Sequence, residues 1–464
     1  MSELTTLPFV CALRARGARV YTVGGTVRDF LRGYPRKDVD LLVTAVPQPA
    51  LIQLLRTYGR VQLTGRAFGV IKFLPPQWDG PPIDIALPRT EVSTGIGHRD
   101  FMVTFDHTLP VETDLGRRDF TINAMAMDLA TGQLLDPFGG RTDLEQSILR
   151  QVSATAFPED PLRMLRGVQL ATRFGLQVEP VTRQAMRAHA ATITTVAAER
   201  IAEELRKLFQ ATAPSQGFLL MHEVALLPYI LPEIARLVHC RSGPLPSALA
   251  ETPGQTDAFT RTLNRLDALQ QQPGIAHRNH IDVLLAALFL ESGLPEVASS
   301  PACPPQRLAE HSAALARQRL EALRVTTIGA HLDRIHTLIT ASVIAPHTLT
   351  TAAALRRLAH QVGPATAFMV FDLWLAERLG NTPRSPADDL LALRQRLQDE
   401  IDRHVPLSLG DLTVNGRDLQ HLGIRPGPRL GQILQTLLQR VLDDPACNNR
   451  EALLAVVRSE FGAC

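Results

Sequence analysis

Strand-forming stretches crowd the first 150 or so residues of this chain and then stop. Apolar, β-branched runs at residues 20–23, 39–43, 70–74, 83–87 and 122–127 are separated by Gly, Pro and Asp and read as strands. A helical pattern, "PQPALIQLLRTY", falls among them at 47–58. Beyond about residue 150 apolar positions recur at helical spacing, in "DPLRMLRGVQLATRFG", with Pro161 in a first turn, and in "VAAERIAEELRKLFQ". From Gln216 onward Leu/Ala/Arg helices are broken by Pro-rich stretches near 243–247 and 299–306. The expected fold is α+β: a head with a small mixed sheet and flanking helices, then a long all-helical body without a fixed-period repeat. At 464 residues the chain exceeds one ordinary core, so two to four domains are expected.

Apolar content of 45% and charged content of 20% fit a globular protein and argue against extensive disorder. No apolar run reaches the roughly 18 to 20 residues of a membrane span. The opening "MSELTTLPFV" has no basic region ahead of an apolar stretch, so a secretory signal is not expected and a cytoplasmic location is. Cys11, Cys240, Cys303, Cys447 and Cys464 are scattered without a CxxC pair, suggesting neither zinc site nor disulfide framework. Net charge is +2, but only Lys37, Lys72 and Lys207 are lysines. The bland reading of that bias is codon usage in a GC-rich genome; arginine also suits bidentate recognition of phosphates and bases.

Within "VGGTVRDFLRGYPRKDVDLLVT", Asp38 and Asp40 open an apolar run. In a strand, residues i and i+2 share a face, so both carboxylates project together and raise each other's pKa. A divalent cation removes that penalty, and oxygen ligands with room for substrate phosphates suit Mg²⁺. Asp84 opens another predicted strand and is a third candidate, completing a site for two-metal phosphoryl chemistry. A DxD alone is a common accident of strand starts. Upstream, however, Gly24 and Gly25 allow backbone N–H groups close to a triphosphate at a helix N-terminus, and Arg28 lies on that helix's first turn.

"GGTVRDFLRGYPRKDVD" resembles the first motif of class II tRNA nucleotidyltransferases and related bacterial poly(A) polymerases, of the DNA polymerase beta superfamily. "RRDFTINAMA" (117–126), "DPFGGRTDL" (136–144), "EDPLRMLR" (159–166) and "ERIAEELRKLF" (199–209) follow in the family's order, covering about the first 210 residues. "LTVNGRDLQHLGIRPGPRLGQILQTLLQRVLDD" resembles the tail of some bacterial members less sharply. The resemblance implies that Asp38 and Asp40 hold two Mg²⁺ ions, and that Gly25, Arg28 and Arg118 hold the nucleotide's phosphates and sugar. Arg118 also reads as a loop arginine pairing with Asp114 or Asp119. Asn123 orients either the head's core or the sugar.

Asp160 and Arg163 are three residues apart, a spacing that on a helix also gives a surface ion pair of little value. In the family this pair acts as a protein template, its carboxylate accepting the amino group of cytosine or adenine and its guanidinium reaching the neighbouring acceptor. Guanine and uracil reverse that order. Such readout discriminates by about 1–3 kcal/mol per base in nucleic-acid grooves. Arg166 adds a contact to base or phosphate. The family's Arg-Phe pair is replaced by Gln169 and Leu170, which puts nucleotide affinity or preference in question; Arg173 is four residues on.

The stretch 90–113, with Gly95 and Gly97, reads as a surface loop, either a connector or the flexible loop with which the family switches from C to A. Many bacterial relatives carry a helical phosphohydrolase domain. Where it reads His-Asp before a glycine, this chain has "FLESG", and His277 and His280 read as ordinary helix-end histidines.

The implied organisation is a catalytic head at 1–150, a nucleotide-selecting neck at 151–215, a body at 216–365 and a tRNA-binding tail at 366–464. The implied activity is transfer of all or part of CCA to the tRNA 3′ end from CTP and ATP, with the acceptor arm held by the helical body. No membrane or protein partner is implied. The alternatives are a poly(A) polymerase and a non-catalytic RNA-binding protein. A basic C-terminal extension, often found in the polymerases, is not seen in "EALLAVVRSEFGAC".

Overall fold

The computed structural model describes residues 2–35, 38–64, 69–76, 78–93, 101–240, 257–272, 274–278, 280–297, 304–381 and 387–461. Two compact units divide the chain: Met1–Leu208 with Gln216–Ile230, and Phe209–Ser215 with Leu231–Cys464.

The first unit is built on a seven-stranded mixed sheet. Its strands are β1 (Arg19–Val23), β2 (Asp40–Thr44), β3 (Arg60–Thr64), β4 (Val70–Leu74), β5 (Ile83–Ala86), β8 (Ala126–Asp128) and β9 (Leu134–Leu135), in the order β3-β4-β5-β2-β1-β8-β9. Only β2 and β5 run parallel; the other neighbours are antiparallel. Helices α1 (Pro8–Ala15), α2 (Gly25–Leu31) and α3 (Gln48–Tyr58) accompany it.

Side-chain alternation decides which face is covered. Leu41, Val43, Ile71, Phe73, Ile83 and Ile85 join Phe9, Val10 and Leu13 of α1 and Leu51, Leu54 and Leu55 of α3 in one core. The intervening residues turn the other way. There Tyr21, Val23, Leu42, Ala124 and Ala126 form a second cluster with Val111 and Leu115. Asp40, Lys72 and Asp84 have the parity of this second face, which is how a core strand comes to carry a carboxylate.

Three expectations change. The run at 122–127 is not one strand: Thr121–Asn123 is a 3₁₀ turn that precedes β8. The expected loop at 90–113 includes two antiparallel strands, β6 (Arg89–Ser93) and β7 (Phe101–Phe105), and a short helix, Val111–Gly116. Gly95 and Gly97 lie outside the described residues. Asp38 lies ahead of the strand, which begins at Asp40.

Helix α4 (Leu162–Phe174) and helix α5 (Ala198–Phe209) follow in the region expected to be helical. The second unit is helical among its described residues. In it α6 (Ala258–Gln271) packs along α8 (Pro364–Asn381), with α7 (Ile281–Phe289) beside them. Near the end of the chain α9 (Pro428–Asp443) contributes Ile433, Leu437, Leu438 and Val441 to a separate core with Leu412, Val414, Leu419 and Val457. Among the described residues no helix is long and apolar enough to cross a membrane.

Candidate active site in the first unit

Asp40 and Asp84 are register partners on the parallel pair β2 and β5, with the Asp84 N–H donating to the Val39 carbonyl at 2.9 Å. Burial pushes the Asp40 carboxyl up to about 6. Arg118 opposes that rise, Asp84 and Asp38 add to it, and Lys72 opposes it. Asp40 therefore feels both other carboxylates, although Asp38 is exposed and outside the strand. One threonine fixes their frame: Thr26 Oγ1 accepts from the Asp40 N–H at 3.0 Å and donates to the Asp38 carbonyl at 3.4 Å.

Accumulated carboxylate charge beside a half-buried Asp40 suits a cation. Asp84 differs from the expected third ligand, because Lys72 Nζ sits 3.1 and 3.5 Å from its two oxygens. Among the described residues no group of three His, Cys, Asp or Glu side chains is arranged to hold a metal. Two carboxylates leave most positions to water and substrate phosphates, as magnesium prefers.

Gly24 and Gly25 play different parts. The Gly24 N–H donates to the Met125 carbonyl at 3.2 Å, so it does not point toward a ligand as expected. Gly24 instead has φ +67°, and a Cβ there would stand 2.5 Å from Arg118 Nη1. It is the clearance that lets Arg118 approach. Gly25 begins α2, where first-turn N–H groups have no intrahelical acceptor.

Arg28 is buried and held on three sides. Nη1 donates to Asn123 Oδ1 at 2.8 Å, Nε and Nη2 donate to Asp29 Oδ1, and the guanidinium lies 4.4 Å from the Phe174 ring centroid. Arg118 pairs with Asp114 at 3.2 Å, one of its two expected partners, and Nη1 reaches the Asn123 carbonyl at 3.4 Å. Asn123 passes the chain onward: its Nδ2 donates to Asp119 Oδ1 at 3.0 Å, and Asp119 Oδ2 accepts from Arg166 Nε at 2.9 Å. Burial pushes the Asp119 carboxyl up, but the Arg166 charge and the Asn123 hydrogen bond outweigh it and hold it below the usual range. One hydrogen-bonded chain, Arg28–Asn123–Asp119–Arg166, thus runs from α2 to α4.

Asp160 and Arg163 do not share a helix face. Asp160 closes the short helix Ala156–Glu159 in an extended conformation, ahead of α4. Nor do they pair. Arg200 of α5 donates to Asp160 through Nη1 at 3.3 Å and Nη2 at 2.8 Å. Arg163 Nη2 donates to the Arg117 carbonyl at 2.7 Å, and Nη1 to the Ala156 carbonyl and Glu159. Two of its five N–H donors remain. Gln169, 4% exposed, accepts from Arg173 Nη1 at 3.1 Å, and Arg173 lies 5.4 Å from the Phe174 centroid, on the ring that Arg28 also faces. Burial and the Arg28 charge hold the Arg173 guanidinium below its ordinary value.

Sequence reasoning missed Thr26, Lys72, Arg200 and the linking role of Asp119. Each had a weak signal: Thr26 follows the glycines, Lys72 interrupts "VIKFL" at alternating spacing, and Arg200 and Asp119 lie within quoted motifs.

In the second unit, His280 caps α7, accepting from the Asp282 N–H, and His277 pairs with Asp372 at 2.7 Å. Glu291, where a hydrolase would carry its acid, is fully buried and accepts from Arg261 and Arg265, and Arg265 also pairs with Glu377.

Comparisons agree with this picture. Residues 20–150 match the poly A polymerase head domain, 175–237 the "Probable RNA and SrmB- binding site of polymerase A", and 348–457 the tRNA nucleotidyltransferase domain 2. The chain is 41% identical over 224 residues to the Multifunctional CCA protein of Xanthomonas campestris pv. campestris (strain B100), covering 47% of this chain and 52% of that protein. It thus spans about half the length of such curated relatives. To the CCA-adding enzyme of Latilactobacillus sakei subsp. sakei (strain 23K) it is 31% identical over 458 residues, 97% of both chains. The Bacillus stearothermophilus CCA-adding enzyme in complex with CTP shares the fold, with TM-score 0.70 and 24% identity over 100% of this chain and 99% of that one. The Thermotoga maritima CCA-adding enzyme complexed with tRNA_CCA aligns with TM-score 0.55 and 21% identity over 99% and 94%. Sequence motifs, head topology and a relative matched along nearly its whole length together make this chain a member of the CCA-adding enzyme family of nucleotidyltransferases.

Proposed function

We propose that this protein is a Mg²⁺-dependent tRNA nucleotidyltransferase of the cytoplasm that adds all or part of the 3′-terminal CCA from CTP and ATP. The observation that carries the reading is the pairing of Asp40 with Asp84 on one sheet face, with Asp38 just ahead of the strand and the Arg118 charge acting on Asp40. The RNA 3′-oxygen attacks the α-phosphorus, the bond to the bridging oxygen breaks, and pyrophosphate leaves. Bound at Asp38 and Asp40, magnesium would lower the pKa of the attacking hydroxyl and screen charge on the leaving group. Arg28 and Arg118 keep donors free for phosphate and sugar, while Gly25 begins the helix facing them. Asp160 and Arg166 supply an acceptor and a cation for the base; Arg163 keeps two donors for the same purpose.

The CCA-adding relatives support tRNA as the acceptor, and the head-domain match to poly A polymerases supports tailing as the second reading. One experiment separates them. Purified protein receives tRNA lacking CCA, tRNA ending in C-C, and an unrelated RNA, each with CTP, ATP or both, with and without Mg²⁺. Addition of defined length to tRNA, abolished by chelation, supports the proposal. Long tails on unrelated RNA would favour the polymerase, and no incorporation would leave only RNA binding.

A further inference from the structure

A row of side chains crosses the sheet in register: Gln62 faces Lys72, Lys72 faces Asp84, and Asp84 faces Asp40. Arg60 is two residues before Gln62 and so shares its face. At the outer end of this row lies a cleft of about 520 Å³ lined by Arg60, Val61, Gln62, Lys72, Leu74 and Pro82. Its charged lining groups are cations only. Lys72 is partly neutralised by Asp84, whereas the exposed Arg60 has no ion-pair partner among the described residues.

Position gives the cleft its meaning. Gly24, Gly25, Arg28 and Arg118 lie where β1 ends and before β8 starts, on one side of Asp40. The Arg60–Lys72 cleft lies on the other, beyond β5. In phosphoryl transfer the attacking and leaving oxygens stand roughly in line on opposite sides of the phosphorus. If pyrophosphate leaves toward Arg28 and Arg118, the acceptor oxygen arrives from the β5–β4–β3 side, bringing its backbone phosphates with it.

We infer that the Arg60–Lys72 cleft binds the phosphates of the RNA acceptor's unpaired 3′ end. This rests on the nucleotidyltransferase reading above. Lys72 thereby has two tasks, holding Asp84 and facing the incoming strand, while Arg60 serves only the strand. Gln62 offers hydrogen bonds to ribose or phosphate between them.

Arg60 is the residue to change, because replacing Lys72 would also release Asp84. Binding of a fluorescent acceptor minihelix lacking CCA is followed by anisotropy across salt concentrations, alongside nucleotide KM and inhibition by pyrophosphate. R60A is expected to weaken binding about three- to tenfold and to lower the log–log salt slope by roughly 0.7, the share of one single-strand phosphate contact. R60E should weaken it further and R60K should restore it. The effect should vanish on a blunt duplex without unpaired 3′ nucleotides, and KM for CTP and ATP should not change. Unchanged anisotropy and slope in both R60A and R60E, with melting temperatures equal to wild type, would overturn the inference. So would a shift confined to nucleotide KM or pyrophosphate inhibition, which would assign the cleft to the triphosphate. Binding needs no turnover, so a wild-type protein that binds through Arg60 yet adds no nucleotide would sink the enzymatic reading and spare the cleft.

Discussion

Arg200 holds Asp160 through both carboxylate oxygens, at 2.8 and 3.3 Å, from a helix that begins nearly forty residues later. The carboxylate expected to choose the base is thus aimed by a residue of the "ERIAEELRKLF" segment. R200A should lower kcat/KM for CTP and ATP by about tenfold, the worth of one charged hydrogen bond. Discrimination against GTP and UTP should narrow, and R200K should recover only part, lacking the bidentate fork. Single-nucleotide incorporation with each triphosphate measures all three.

Asp40 gives a pH-dependent prediction. An unfolded aspartate titrates near 3.8, whereas in the fold burial and the neighbouring acids push Asp40 up to about 6. Between those values the native protein keeps a proton that the unfolded chain has lost, so this group's contribution to stability falls as pH rises from 3.8 to about 6. D40N removes that slope. At pH 7 without metal it should melt roughly 6–12 °C above wild type, and at pH 4 the two should coincide. Nucleotide incorporation by D40N should be lost at both.

Gly24 tolerates no side chain. A Cβ would meet Arg118 Nη1 at 2.5 Å, and φ +67° strains any L-residue. G24A should cost about 1–3 kcal/mol in chemical denaturation. Its nucleotide KM should rise at least several-fold, because Arg118 must move away from Asp40.

The replaced Arg-Phe pair is testable at Gln169, which anchors Arg173 beside Phe174. Q169A should free Arg173 and raise KM for CTP and ATP about two- to fivefold, with kcat nearly constant. If Arg173 takes no part in nucleotide binding, steady-state kinetics will show no change in KM.

In the second unit, E291A leaves Arg261 and Arg265 buried without their shared acid. Breaking a buried pair from one side costs about 3–5 kcal/mol. A urea titration should show a lower midpoint, with E291Q less affected.

The head was legible because its strands alternate. Buried Ile71, Phe73, Ile83 and Ile85 made 70–74 and 83–87 readable and gave Asp84 its face, while its place beside Asp40 came from the pairing of β2 with β5. β3 was missed because an edge strand with exposed Leu63 shows weak patterning. β6 and β7 were missed because glycines and charges between them resemble a loop. Site partners were harder to read than site residues. Asp160 and Arg163 are near in sequence, yet Asp160 bonds Arg200 and Arg163 bonds Arg117, choices made by tertiary packing. Lys72 shows the same limit: its spacing gave a face, and only strand pairing supplied Asp84.

The buried cluster of Arg261, Arg265, Glu291 and Glu377 also bears on how this body could change over evolutionary time. Installing a metal-dependent hydrolase there one substitution at a time would pass through intermediates with a stranded guanidinium or carboxylate, each close to the whole stability margin of a domain. Selection would remove such intermediates before the last ligand arrived. The cluster therefore acts as a ratchet against stepwise conversion of this region into a hydrolase site.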